Sequence, residues 1–404
     1  MTKNDIIKAA FRVWGRELYQ STSLTTLARE LGVSKPAIYR HFQDKQALLN
    51  AMYETFFDEY TAFIKPWYEK AHAAQDAVES LFIMMRTIVD YYARNVDAFI
   101  FSLIQVYGDP VVGGRDMAAH LKRRGVDLSS FARFKTDTQT YPSMVQLILA
   151  TLTFIMAHFH KHEHTLDEHP SEERIQYVIA LTEEKVATGL GFKKELIEAI
   201  DYEGLENRIS GTIHDFEEDC LLRAVAGAVA EAGPWNASME MVARRSGLSK
   251  SSLYSHFKNK QDMLRQLFLT EFDRIVRFAE LGKQHSAVPE EQLYLVIISM
   301  ADYLRSRPEI LVAIDWIRTR RLDLGHIAAS SRVYQVISDI QGLGSTGEQD
   351  TSGTTSELTP QWILFLIVNT LMHRPAGMAF SELPNSSIRV LFKFIVSGIK
   401  GCTI

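Results

Sequence analysis

Two stretches of this 404-residue chain collect residue types suited to gripping a polyanion. The first reads Lys35-Pro36-Ala37-Ile38-Tyr39-Arg40-His41-Phe42 and is followed by Lys45. The second, 215 positions on, reads Lys250-Ser251-Ser252-Leu253-Tyr254-Ser255-His256-Phe257 and is followed by Lys260. Lysine and arginine meet phosphates or donate to guanine edges, and hydroxyls and imidazoles donate to phosphate oxygens. A small alanine leaves room for a thymine methyl. The set is therefore one for binding nucleic acid. The plainer reading of Tyr39 and His41 is packing and capping inside a helical bundle, and their recurrence at Tyr254 and His256 weighs against it.

Other chemistry is poorly represented. The chain has no phosphate-cradling glycine loop, nucleophile elbow, HExxH motif or carboxylate pair in helical context, so an enzyme is not expected. His158, His160, His162, His164 and His169 crowd together, and two pairs have the i, i+4 spacing that can chelate a transition metal. The pairs lie on different helical faces among Glu163, Asp167 and Glu168, so neither a metal nor a cofactor is expected. Cys220 and Cys402 are the only cysteines, which excludes a disulfide framework.

The two stretches belong to a longer duplication. Residues 23–49 align without a gap on residues 238–264, with twelve identities that include Ser23/Ser238, Gly32/Gly247, Ser34/Ser249 and Lys45/Lys260. The apolar pattern continues upstream, Ile6-Ile7 matching Leu221-Leu222. In each copy a serine stands where it would cap a short helix. Leu27, Ala28 and Leu31 give that helix one buried face. Gly32 and Gly247 end it in left-handed geometry, and Ser34 and Ser249 then cap a second helix. Pro36 sits in that helix's first turn, where no amide partner is needed. Two short helices joined through a glycine turn form a helix-turn-helix, whose second helix enters the major groove. Its exposed face is expected to carry Lys35, Pro36, Ala37, Tyr39, Arg40 and His41. Lys45 opens the next helix, whose free amides could share a phosphate with it.

This pattern resembles the N-terminal domain of the TetR family of regulators. The resemblance rests on Ser23, Leu27-Ala28, Gly32-Val33-Ser34, Tyr39-Arg40-His41-Phe42, Lys45 and Leu48-Leu49 in the first copy. The second copy matches with Val242-Ala243, Gly247-Leu248-Ser249, Tyr254-Ser255-His256-Phe257, Lys260 and Leu264. It implies an all-α fold of two units, each a three-helix DNA-binding head on a helical ligand-binding and dimerising body, with the last two helices of each body building a four-helix interface. DNA-contacting candidates are then Thr25, Ser34, Lys35, Pro36, Ala37, Tyr39, Arg40, His41 and Lys45, with Ser249, Lys250, Ser251, Ser252, Tyr254, Ser255, His256 and Lys260 in the second head.

The expected divisions are a head over 1–48, a body over 49–191, a linker over 192–213, a second head over 214–263 and a second body over 264–404. Helical patterns run over Gln46–Tyr68, Gln75–Arg94, Val96–Tyr107, Ser143–His162 and Ser171–Thr188. They recur over Gln261–Leu281, Glu290–Arg305, Glu309–Arg320, Ile327–Ile340, Gln361–Met372 and Ile388–Ile399. The apolar-poor stretch Gly342–Thr359 reads as a loop. The bodies are rich in residues such as Phe82, Met84, Tyr91, Tyr92, Phe99 and Phe101, which suits either a pocket for a small apolar or aromatic effector or an ordinary core. No ligand residue is assigned.

The net charge is −5, yet residues 1–50 hold eight lysines and arginines against four acids. Apolar runs are too short to span a bilayer and no secretory signal opens the chain, so a cytoplasmic regulator with no membrane partner is expected. Its partners are double-stranded operator DNA, a small effector and its own other half, as an intrachain pseudo-dimer. Further pairing of two chains stays open. The competing reading is a helical interaction or sensor protein whose second head no longer binds DNA.

Overall fold

Helix boundaries in the two heads follow their capping residues. In a computed structural model, which describes residues 2–16, 23–106, 115–128, 142–162, 170–210, 219–319, 332–340, 355–375 and 377–402, no strand occurs among the described residues. The first head comprises α1 (Lys3–Arg16), α2 (Leu24–Glu30) and α3 (Lys35–Tyr39). The repeat of this head comprises α12 (Cys220–Asn236), α13 (Met239–Ser246) and α14 (Lys250–His256). Ser23 and Ser238 accept hydrogen bonds from the amides of Thr26 and Met241 at 3.1 and 3.2 Å, which satisfies one free donor in each first turn. Gly32 and Gly247 have φ of 64° and 71°, left-handed geometry that costs a β-carbon residue energy. Val33 and Leu248 then donate back to the carbonyls of Ala28 and Ala243 and seal the turn.

Each head continues into a long helix, α4 (Lys45–Ala73) and α15 (Lys260–Lys283), capped by Asp44 and Asn259 through amides three residues on. The first runs past Pro66, further than the pattern ending at Tyr68 implied. The two helices bury the same stripe: Leu48, Met52, Tyr53, Phe56, Phe57, Tyr60, Thr61 and Ile64 match Met263, Leu267, Phe268, Glu271, Phe272, Ile275, Val276 and Ala279, always 215 positions apart. Next come α5 (Ala77–Arg94), α6 (Val96–Phe101), a π-turn over Ser102–Val106 and α7 (Arg115–Arg123). The single helix expected over Val96–Tyr107 thus changes winding at Ser102, and α7 had no counterpart among the expected helices. After α8 (Met144–His162) and α9 (Glu172–Thr188) come α10 (Lys194–Glu198) and α11 (Tyr202–Ile209), in the stretch expected as a linker.

The second body has α16 (Pro289–Ser306), α17 (Pro308–Thr319), α18 (Arg332–Ser338), α19 (Thr355–Met372) and α20 (Asn385–Gly401). Residues 342–354 of the expected loop lie outside the described residues. The rest of it is helical, because α19 begins at Thr355 and tolerates the polar residues in its first turns. No helix among the described residues is long and apolar enough to cross a membrane.

The chain divides into two compact units, 1–134 with 155–183, and 135–154 with 184–404, so the boundary passes through α8 and α9. In the first unit the core is an aromatic cluster. Tyr60 meets Tyr91 at 5.0 Å and Tyr92 at 5.7 Å between ring centroids, and Phe56 meets Phe101 at 5.6 Å. His160 is buried here, with Nε2 2.8 Å from the Tyr92 carbonyl oxygen and its ring against Phe99, so it is a core residue. His164, His169 and the His162 side chain lie outside the described residues, among which no group could hold a metal.

In the second unit the ends of α8 and α9 pack with α19 and α20. Trp362, 1% exposed, donates to Thr151 Oγ1 at 3.1 Å, and Phe154 meets Phe365. The Lys185 ammonium lies 5.8 Å from the Trp362 ring, and burial lowers its pKa. Gly398 (φ 59°) breaks the regular winding of α20, and the Ile395 and Val396 carbonyls accept from the amides of Leu190 and Phe192 at 2.8 and 2.9 Å. A β-carbon on Gly189 would fall 2.3 Å from the Ile395 oxygen, and one on Gly398 would fall 2.5 Å from the Ala187 carbonyl carbon. Each glycine thus permits a backbone of one repeat to touch a backbone of the other. The α11 helix is fastened in the same unit, where its Glu206 accepts from Arg389 Nε and Nη2 at 2.8 and 2.9 Å, from Asn385 and from the Tyr294 hydroxyl.

Candidate nucleic-acid interface

A groove-reading helix needs an apolar inner face to fix it and an outer face of donors. In and just after α3, Ile38 is fully buried and Phe42 is 3% exposed, whereas Lys35, Pro36, Arg40 and His41 are exposed and Tyr39 is 44% exposed. In and just after α14, Leu253 and Phe257 are the matching anchors. Lys250, Ser251, Ser255 and His256 are exposed, Ser252 is half-buried, and Tyr254 is 51% exposed. A large ring left in water on a small head is an unused contact surface. The Lys35 ammonium sits 5.6 Å from the Tyr39 ring centroid, which holds cation and phenol together. Thr25 is exposed on α2.

Two expectations for this surface are corrected. Ala37 is only 7% exposed, because it adjoins Ile38 on the inward side and its methyl is too short to emerge past its neighbours. It supports the helix from within. Ser34 occupies the cap position of α3 without a side-chain cap bond. Pro36 has no amide to offer and the Ala37 amide donates to the Ser34 carbonyl at 2.9 Å, so the donors a cap would use are absent or taken. Ser249 does cap α14, accepting from the Ser252 amide at 3.0 Å. The Ser34 and Ser249 side chains are exposed.

Lys45 and Lys260 are placed alike, each at the first position of the long helix behind the groove reader. Both are half-buried, and in both partial burial lowers the ammonium pKa. An ammonium with reduced hydration gains more from a phosphate oxygen than a fully hydrated one.

The heads differ in charge. Arg40, exposed at the end of α3, has Ser255 as its counterpart, whose hydroxyl donates to the Ser252 carbonyl at 2.6 Å. The Ser251 hydroxyl lies 2.9 Å from that of Ser249. Arg245 forms an ion pair with Glu231 of α12, which lowers the Glu231 pKa. The positions 215 residues earlier hold Glu30 and Arg16, the same two charges exchanged. Arg29 and Arg244, exposed at the ends of α2 and α13, add to the cationic surface of both heads. They were absent from the candidates, although their identity across the repeat was the available signal.

The model for bacterial regulatory proteins of the tetR family matches residues 6–52 and again residues 221–267. The "Fatty acid metabolism regulator protein" of Bacillus subtilis (strain 168) is 29% identical over 77 residues, which span 19% of this chain and 40% of that regulator. Among solved structures, the TetR family regulator PfmR from Thermus thermophilus is 24% identical, covering 44% of this chain and 97% of its own, with a TM-score of 0.34. FadR from Bacillus subtilis, in complex with stearoyl-CoA, is 20% identical, with the same coverage and TM-score. The chain thus carries, over residues 6–52 and 221–267, two N-terminal domains of the bacterial tetR regulatory family on one polypeptide.

Proposed function

We propose that this chain is a ligand-responsive repressor whose two heads read the unlike halves of one operator while its two repeats pair as an intrachain pseudo-dimer. The observation that carries the pairing is the reciprocal glycine contact. Gly189 and Gly398 let the end of the first repeat and the last helix of the second share backbone hydrogen bonds at 2.8 and 2.9 Å. Covalent linkage gives each half a high effective concentration of its partner, so pairing does not depend on protein concentration. Two heads on one polypeptide are also free to diverge, as two identical subunits are not.

The divisions that fit this reading are heads over 1–48 and 214–263, bodies over 49–191 and 264–404, and a linker over 192–213. In the first head Ser34, Lys35, Tyr39, His41, Lys45 and Thr25 grip the backbone and Arg40 reads a base. In the second, Ser249, Lys250, Tyr254, His256 and Lys260 grip the backbone, with Ser251, Ser252 and Ser255 facing the bases. An arginine fork prefers guanine, whereas serine discriminates little, so the two half-sites differ under these side chains. Repression follows from occupancy of the operator in the cytoplasm. An effector that binds better when the heads are held apart releases the DNA by that difference in affinity. The aromatic interior of the first body suits an apolar effector, and the name of the Bacillus subtilis relative supports a fatty acyl compound.

Selection of bound sequences from random DNA tests the reading. Two unlike half-sites about 34 Å apart are expected, and Arg40→Ser is expected to relax the preference in one of them alone. A perfect palindrome would contradict it. The alternative, a second head retired from DNA binding, draws on Ser255 in place of Arg40 and on the Glu231–Arg245 pair.

A further inference from the structure

We infer that the two bodies are unequal, and that an elongated apolar ligand carrying a carbonyl group binds only in the first, beside Thr61 on α4. The inference rests on the effector reading above and assigns that effector to one half. Its basis is a comparison that the duplication makes possible, since α4 and α15 bury the same stripe in the same register.

At three places along that stripe and beyond it, the first body differs in chemistry from the second. The first is Phe56, whose counterpart is Glu271. Phe56 meets the rings of Phe57, Tyr60 and Phe101, with centroids 5.2 to 5.6 Å away. Glu271, 1% exposed, accepts from Arg274 at 2.7 Å, from Arg307 at 3.5 Å and from the Tyr303 hydroxyl. Rings hold one another by dispersion, which a hydrocarbon chain replaces in kind. The donors around a buried carboxylate have no substitute in a methylene chain, so that body stays closed.

The second place is Thr61, whose counterpart is Val276. Thr61 is 5% exposed, and its hydroxyl has no hydrogen-bond partner among the described residues. Buried hydroxyls are normally paired, and a fold that needed only bulk here has a ready answer in the valine of the other repeat. A hydroxyl kept without a protein partner one residue after Tyr60 is available to donate to a ligand carbonyl. The third place is the π-turn over Ser102–Val106, which follows Phe99 and Phe101 of the cluster. Such turns widen a helix locally and are frequent at functional sites. In the second body α17 runs over Pro308–Thr319 as an α-helix.

The test counts ligand on the full chain. Equilibrium dialysis with stearoyl-CoA is expected to give one molecule per polypeptide. Thr61→Val, which installs the residue the other repeat already uses, is expected to weaken binding about fivefold with the melting curve unchanged. Glu271→Gln is expected to leave stoichiometry and affinity unchanged. Two molecules per chain, or weaker binding from Glu271→Gln with none from Thr61→Val, would overturn the assignment while leaving the effector reading intact. No binding by the unaltered chain would remove the acyl reading itself, and this assignment with it.

Discussion

Gly398→Ala is expected to lower the melting midpoint of the second unit by about 10 °C. The residue has φ 59° and ψ −156°, a conformation open to glycine and strained for any residue with a β-carbon. The added methyl would also lie 2.5 Å from both the Ala187 carbonyl carbon and the Thr188 nitrogen. These neighbours are backbone, so they move only if α9 moves. Strain and displacement together cost about 4 kcal/mol, which for a unit of this size corresponds to roughly 8–16 °C. Gly189→Ala meets the Ile395 and Phe394 oxygens at 2.3 and 2.8 Å and is expected to act in the same direction. A midpoint within about 2 °C of the unaltered chain for both variants, by calorimetry, would mean that this contact is dispensable.

The second large effect concerns the heads. Lys250→Ala with Tyr254→Ala is expected to reduce operator affinity about 100-fold, and Lys35→Ala with Tyr39→Ala to do the same. When two tethered heads bind one duplex, removal of either forfeits the multiplication of affinities that linkage provides. The cation in each pair also contributes a displaced counterion, so the slope of log affinity against log salt is expected to shrink by about 1 for either variant. Titrations at several salt concentrations check both numbers. Unaltered affinity for the variant at Lys250 and Tyr254 would favour the retired second head.

The heads could be read from sequence because every determinant there is local. Serine caps, a left-handed glycine and a fixed stripe of apolar residues lie within thirty positions, and the second copy repeats them at one offset. Ala37 and Ser34 escaped that reading for reasons of geometry. A five-residue helix turns Ala37 inward beside Ile38, and the Ala37 amide that a cap at Ser34 would have met donates to the Ser34 carbonyl instead.

The bodies were less legible because their offsets drift. Gly398 follows Gly189 by 209 positions, not the 215 that relate the heads, so the glycine pair stays hidden in an ungapped comparison. Asn95 and Arg307 close α5 and α16 with φ of −128° in both and ψ of 73° and 68°, which marks them as counterparts at yet another spacing. Glu271 was invisible for a different reason. A glutamate reads as surface, and only the three partners that surround it explain its burial. The exchange of Arg16 and Glu30 for Glu231 and Arg245 could have been found from sequence, since both pairs keep the offset of the heads.

The mass of the complex on a selected operator tests most directly whether one polypeptide does the work of a dimer. Sedimentation of the full chain with a duplex carrying both half-sites is expected to give one polypeptide per duplex, with both half-sites protected from hydroxyl radicals. Two polypeptides per duplex, or protection of one half-site alone, would contradict it.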